Sequence, residues 1–289
     1  MRVDPNYLQG LSASISQSTA TEATLTNELS SGLRVQQLSD DPTAASQALQ
    51  LTSQASRADT FVQTATQQTG VMQVTDSALA EVVTQLTSAI SLATQATNGT
   101  LTTAQQSAVA TQLQGIQSEV LTLANTSYLG QYLFSGSKGA TTPFSLDASG
   151  NATYAGDTVQ QTVKTPTGQS LPTNLPGSSV FSSTFAALGS IISALQSNTL
   201  TATSTTALTS ALSDISTQRS VLGSSLTRLT ASSSYTQTQV ANLQATQSAL
   251  VSADTVQVAT DLKNSETQNT AMLSLMAALS KGSLFDYLK

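Results

Sequence analysis

Few residues of this chain could do chemistry. Asp40 and Asp41 come nearest to a catalytic carboxylate pair, but adjacent residues do not naturally flank one substrate, and no partner acid or base stands in a recognisable motif. Followed by Pro42, they read better as a helix start, with Asp41 as N-cap and Pro42 in the first turn. The chain has no His and no Cys, so it lacks the usual general base at neutral pH, any imidazole or thiolate metal ligand, and any disulfide. Asp157 would serve a hydrolase only within a carboxylate constellation that the sequence does not contain. Tyr132 and Phe134 flank Leu133 as a ligand surface would, yet the core of a small β unit, with Phe144 and Tyr154, is the simpler reading. Asn98, Asn125 and Asn151 open Asn-x-Ser/Thr sequons that a chain rich in Ser and Thr produces by chance. The expectation is a structural protein with no catalytic residue, cofactor or metal.

Composition narrows the elements that remain. Of 289 residues, 39% are hydrophobic, 4% aromatic and 9% charged, where an ordinary soluble domain carries about 25% charged residues. Helices with neutral polar faces fit that texture better than a large aromatic core. The net charge of -6, from 16 acidic and 10 basic residues without a basic cluster, excludes the usual nucleic-acid binder. The N-terminus lacks the apolar run of a secretory signal, and no segment approaches the ~20 apolar residues of a membrane span. No membrane insertion is expected, and an exported form would leave the cell without a cleavable signal peptide. The absence of cysteine suits such a passage.

Hydrophobic spacing supplies the elements. Leu8, Leu11, Ile15, Ser18, Glu22, Leu25 and Leu29 recur in steps of three and four, placing all seven on one helix face that stops at Gly32. The second helix opens at Asp41-Pro42, runs through Leu49, Phe61 and Val71, continues with Leu79, Val83, Leu86, Ile90 and Ala93, and ends near Asn98-Gly99. A third is expected from Thr103 to Asn125 on Val109, Leu113, Ile116, Val120 and Leu123. From Tyr128 the texture turns to strand and turn, with Gln131 to Phe134 as a strand. Helical spacing resumes with Phe185, Leu188, Ile191, Ile192 and Leu195, and Asn198 to Thr206 reads as a loop before Leu208, Leu212 and Ile215. A long second seam follows: Leu222, Leu226, Leu229, Ser233, Thr236, Val240, Leu243, Gln247 and Leu250. The pattern then restarts out of phase at Val258, Leu262, Ser265, Asn269, Met272, Met276 and Leu279, which predicts a break near Ser252 to Thr255.

The fold class expected is mainly α: an elongated antiparallel helical bundle or coiled coil formed by both chain ends, with a small β-rich insert in the middle. The expected segments are a terminal assembly helix at 1–38, a helical rod half at 39–127, the insert at 128–182, the second rod half at 183–252 and a terminal assembly helix at 253–289. The five apolar side chains of the first seam are too few to offset the ordering of its backbone, so residues 1 to about 30 should order only with partners. Arg34 is expected either to pair with Asp40 or Asp41 across an elbow at Gly32 or to stay solvated. Met272 and Met276 suit either an adaptable binding face or plain seam packing. Leu284, Phe285, Tyr287 and Leu288 form an apolar cluster that makes sense buried in an assembly or on a chaperone.

The chain resembles the flagellin family, and within it the branch that joins hook to filament. The features arrive in the family's order: LSSGLRV at Leu29 to Val35, SDDPTAASQAL at Ser39 to Leu49, GQYLFSGSK at Gly130 to Lys138, Pro143-Phe144, and Tyr154-Ala155-Gly156-Asp157. RSVLGSSLTRL at Arg219 to Leu229 and SLFDYL at Ser283 to Leu288 complete the set. The resemblance implies an extracellular axial role at the hook-filament junction and export through the flagellar type III apparatus. It also implies a cytoplasmic chaperone on the C-terminal helix and a homo-oligomeric ring joining hook-associated protein 1 to flagellin. A short flagellin forming the filament itself is the near alternative. An exported coiled-coil adhesin or effector is a more distant one, disfavoured by seams at both chain ends.

Overall fold

The computed structural model describes residues 5–97, 101–147 and 149–284, except for the side chains of residues 5, 6, 8, 202, 203 and 279–284. Six α-helices are present among them: α1 (Pro5–Ser31), α2 (Pro42–Thr97), α3 (Thr103–Ala124), α4 (Gly177–Gln196), α5 (Ala202–Val251) and α6 (Thr255–Leu284). Between α3 and α4 lie three short antiparallel pairs: β1 (Ser127–Tyr128) with β2 (Gln131–Tyr132), β3 (Phe144–Leu146) with β4 (Ala152–Tyr154), and β5 (Thr162–Lys164) with β6 (Ser170–Pro172). The chain is mainly helical with a small β-containing middle, as its spacing predicts. It divides into two compact units, residues 1–56 with 240–289, and residues 57–239.

The second unit holds the dense core. Along α2 the buried positions are Ala65, Met72, Leu79, Val82, Leu86, Ala89, Ala93 and Ala96, and α5 contributes Leu208, Ala211, Ile215, Leu222 and Leu229. The carboxylate of Asp76 on α2 takes two hydrogen bonds from the guanidinium of Arg219 on α5, at 2.9 and 3.1 Å. This fork geometry fixes orientation as well as distance. Thr102 and Gln105 form a reciprocal capping box at the start of α3.

Helix α4 seals the β pairs onto the helices. Phe181 stands edge-on to Phe134 with ring centroids 4.8 Å apart, and Phe144 lies 4.9 Å from Tyr154 and 5.2 Å from Phe185. Gly177 permits this approach, since a Cβ there would sit 2.7 Å from the Phe134 carbonyl and 2.7 Å from the Phe144 ring. Asn125 docks β3 as a strand edge would: its Nδ2 donates to the Phe144 carbonyl and its Oδ1 accepts from the Phe144 amide, both at 2.9 Å.

Several expectations shift. Gln131 to Phe134 is a strand only over its first two residues, because Leu133 and Phe134 turn inward to be buried. Residues 177–182, expected in the insert, are the first turns of α4. The loop expected from Asn198 to Thr206 is shorter, with α5 starting at Ala202. Helix α4 is also long and apolar enough, by composition alone, to cross a membrane, contrary to the sequence expectation; half of it is buried in the protein core. The end expected at Asn98-Gly99 lies outside the described residues.

Replacing the fully buried Phe181 (Phe181→Ala) should lower the stability of the second unit by about 3 to 5 kcal/mol, read from the midpoint of chemical denaturation. A loss below about 1 kcal/mol would contradict the packing described.

Candidate assembly interface

The first unit is built from two helix pairs and the breaks between them. Near its start α2 buries Ala44, Ala48 and Ala55, while Val240 is the buried residue of α5 there and Leu243, Gln247 and Leu250 are half-buried. Gln247 Nε2 donates to Thr52 Oγ1 at 2.9 Å. Leu49, through which the helix was expected to run, is 68% exposed. Small residues carry this seam.

Helix α1 ends at Gly32, whose φ of +69° is the left-handed turn that glycine adopts without steric penalty; its amide still donates to the Glu28 carbonyl at 2.8 Å. Helix α5 ends at Val251 and α6 begins at Thr255, which places the second break where the change of phase predicts it. The two breaks are bonded to each other. The Arg34 amide donates to the Val251 carbonyl at 2.8 Å, and the Ala253 amide donates to the Gly32 carbonyl at 2.9 Å. Around them Leu33 and Ser252 form an antiparallel bridge, and Arg34 Nη2 donates to the Leu250 carbonyl at 3.0 Å.

The elbow acids have distinct tasks. Asp41 Oδ1 accepts from the amides of Thr43 and Ala44 at 3.1 and 2.9 Å, capping α2, with Pro42 in its first turn. Its Oδ2 lies 3.4 Å from Arg34. Asp40 Oδ2 accepts from the amides of Gln36 and Gln37 at 3.0 and 2.8 Å, folding the elbow on itself. The Gln37 and Gln36 amides hold the Asp40 carboxyl below its ordinary value, and the Ala44 amide, then Arg34, does the same for Asp41. Asp254 Oδ1 caps α6 through the amides of Val256 and Gln257.

Beyond the elbow, α1 and α6 pack antiparallel. Leu11, Ile15, Ser18, Glu22 and Leu25 are half-buried on α1; Leu262, Asn269, Met272 and Met276 are half-buried on α6, with Val258 and Ser265 buried. Leu29 is 38% exposed and borders a shallow groove with Val256 and Ala259, while Glu28 is half-buried beside it. The side chains of Leu8, Leu279 and Leu284, and the residues Phe285 and Leu288, lie outside the described residues. In the β pairs Phe134 and Phe144 are buried and Tyr154 is half-buried, its hydroxyl within 2.9 Å of the Phe134 carbonyl and 2.8 Å of the Asp157 carbonyl. Tyr132 is half-buried, with its hydroxyl 3.2 Å from Thr142 Oγ1. Among the described residues, no group of three or more acidic side chains is placed to hold a metal ion.

The model of the bacterial flagellin N-terminal helical region matches residues 7–139, and that of the bacterial flagellin C-terminal helical region matches residues 205–288. The chain belongs to the flagellin family. The matched regions hold α1 to α3 and nearly all of α5 with α6, so the flagellin-family portion includes the elbow and both terminal helices, whereas β3 to β6 and α4 lie between the matches. Flagellar hook-associated protein 3 of Escherichia coli is 37% identical over 119 residues, covering 41% of this chain and 38% of that protein. Flagellar hook-associated protein 3 of Salmonella typhimurium is 32% identical over 178 residues, covering 61% and 55%. The alignments thus span about half the length of these curated relatives or less. Two Legionella pneumophila crystal structures share the fold. Flagellar hook associated protein-3 has a TM-score of 0.63 at 16% identity, covering 69% of this chain and 98% of that one. The flagellar junction protein FlgL has a TM-score of 0.59 at 17% identity, covering 71% and 100%.

Sequence reading did not find the backbone clasp, because it joins residues more than 200 positions apart and uses no side-chain signature except Arg34. Both elbow carboxyls have folded-state values below their ordinary 3.8. Their contribution is therefore present above that value and is lost as pH falls through it toward the folded value. Amides of Gln36, Gln37 and Ala44 should lose hydrogen-exchange protection, relative to intrinsic rates, as pH drops below about 3.8. In an Asp40→Asn, Asp41→Asn variant that pH dependence should vanish; its persistence would show that other groups hold the elbow.

Proposed function

We propose that the chain is an axial structural protein of the bacterial flagellum, assembling through α1 and α6 into a ring or short tube that joins the hook to the flagellin filament. The observation that carries this reading is the pairing of both chain ends by a seam too thin to be self-sufficient. No described side chain of α1 is fully buried, and on α6 only Val258 and Ser265 are. A helix pair so sparsely covered gains most from neighbours that cover its remaining faces. The names of the relatives, flagellar hook-associated protein 3, support the place in the flagellum.

On this reading Leu11, Ile15, Leu25, Val258, Leu262, Met272 and Met276, with Leu8, Leu29, Leu279, Leu284, Phe285 and Leu288, form the assembly surface. Gly32, Arg34, Asp40, Asp41 and Pro42 hold its elbow. The partners are further copies of the chain, hook-associated protein 1 on the hook side and flagellin on the filament side. A cytoplasmic chaperone covers the C-terminal helix before export through the flagellar type III apparatus to an extracellular position. The protein works by packing and carries no enzymatic activity. The matches to both flagellin helical regions favour, as a second reading, a short flagellin that builds the filament itself.

Electron microscopy of the purified, polymerised chain separates the two: rings or short caps are expected, and long filaments would favour the filament reading. Deleting residues 284–289 should abolish incorporation and motility in cells that depend on this chain. Normal motility in that truncation would refute the assigned surface.

A further inference from the structure

The middle of the α1–α6 seam is polar where a helix pair would ordinarily be apolar. Ser18 Oγ and Ser265 Oγ are 3.3 Å apart. One turn along α1, Asn269 Nδ2 donates to Glu22 Oε2 at 3.2 Å and lies 3.4 Å from Thr19 Oγ1. The other two oxygens of this cluster, Glu22 Oε1 and Asn269 Oδ1, are shielded from solvent and have no hydrogen-bond partner. A carboxylate oxygen and an amide carbonyl oxygen are both acceptors. The layer is incompletely satisfied by its own chemistry.

We propose that Glu22 and Asn269, with the Ser18–Ser265 contact, form a register key: they fix which turn of α6 meets which turn of α1, while their two unpaired acceptors keep the helix pair easy to open. The seam of α6 repeats as Val258, Leu262, Ser265, Asn269, Met272 and Met276, so apolar packing alone fits α1 nearly as well after a slip of seven residues. A slip in one direction puts Glu22 against Met276 and Ser18 against Met272. In the other direction Glu22 meets Leu262 and Ser18 meets Val258. Either way a carboxylate loses its only donor from α6 and enters an apolar layer, which is costly without a replacement. One polar position in a heptad seam selects register in the same manner, at some loss of stability. The ease of opening follows from the same atoms, because every closed state buries two acceptors that water would satisfy.

Both properties belong to the single chain and are measured on the monomer, so this inference and the flagellar reading fail separately. The chain has no native cysteine, which makes introduced pairs unambiguous. With Glu22 and Asn269 in place, the pair Ser18→Cys, Ser265→Cys should oxidise readily, and the slipped pair Ser18→Cys, Met272→Cys should not. In a Glu22→Leu, Asn269→Leu background the slipped pair should gain at least tenfold in oxidation rate. A slipped pair that stays reduced there, or that already oxidises with Glu22 and Asn269 present, overturns the register claim. Glu22→Gln supplies the missing donor for Asn269 Oδ1 while leaving an acceptor for Asn269 Nδ2. It should slow amide exchange along α1 by about tenfold or more without admitting the slipped cross-link; unchanged exchange overturns the claim that the unpaired acceptors keep the pair open.

Discussion

The backbone clasp between residues 32–34 and 251–253 is the constraint on which the first unit depends. Helix α1 must end and the chain must turn into α2; independently, α5 must end and the chain must turn into α6. Each break exposes carbonyls and amides that lack helical partners. Here the two breaks satisfy each other, the Gly32 carbonyl taking the Ala253 amide and the Val251 carbonyl taking the Arg34 amide. Arg34 adds its guanidinium to the Leu250 carbonyl, and Asp41 holds that guanidinium from the other side. The α1–α6 pair runs on from this point, and Ser18 meets Ser265 further along it.

Stability is distributed unequally on the two sides of the division in the chain. Residues 57–239 bury Phe134, Phe181, Met72 and a run of Leu and Ile side chains completely, and the Arg219–Asp76 fork ties α5 to α2 among them. The described part of the terminal pair has mostly half-buried apolar side chains and a polar middle in which Asn269 donates to the Glu22 carboxylate. The free energy of local opening should follow that difference, lowest for α1 and α6 and highest for the core of the second unit.

The periodic elements were legible because period is a local property. The nine positions from Leu222 to Leu250 are all at least half-buried, and the shift of phase after Asp254 is a true break. The cap at Asp41 and the turn at Gly32 were readable from single residues. The buried face near the start of α2 was not, because the large apolar residue there is Leu49, which is exposed, whereas the buried side chains are the small Ala44, Ala48 and Ala55. Contacts between distant residues left no local trace: Asp76 with Arg219, Asn125 with the backbone of Phe144, and Phe181 with Phe134 each depend on the folded chain. The expectation that residues 1 to about 30 order only with partners meets a structure in which α1 is helical and pairs with α6, yet buries no described side chain completely.

Hydrogen exchange compared between monomer and polymer tests most directly whether the terminal pair is completed by neighbours. Amides from Leu11 to Leu29 and from Val258 to Met276 should exchange quickly in the monomer and become strongly protected in the polymer, while those around Leu79 and Leu222 remain protected in both. Equal and strong protection of the terminal helices in the monomer would contradict the account.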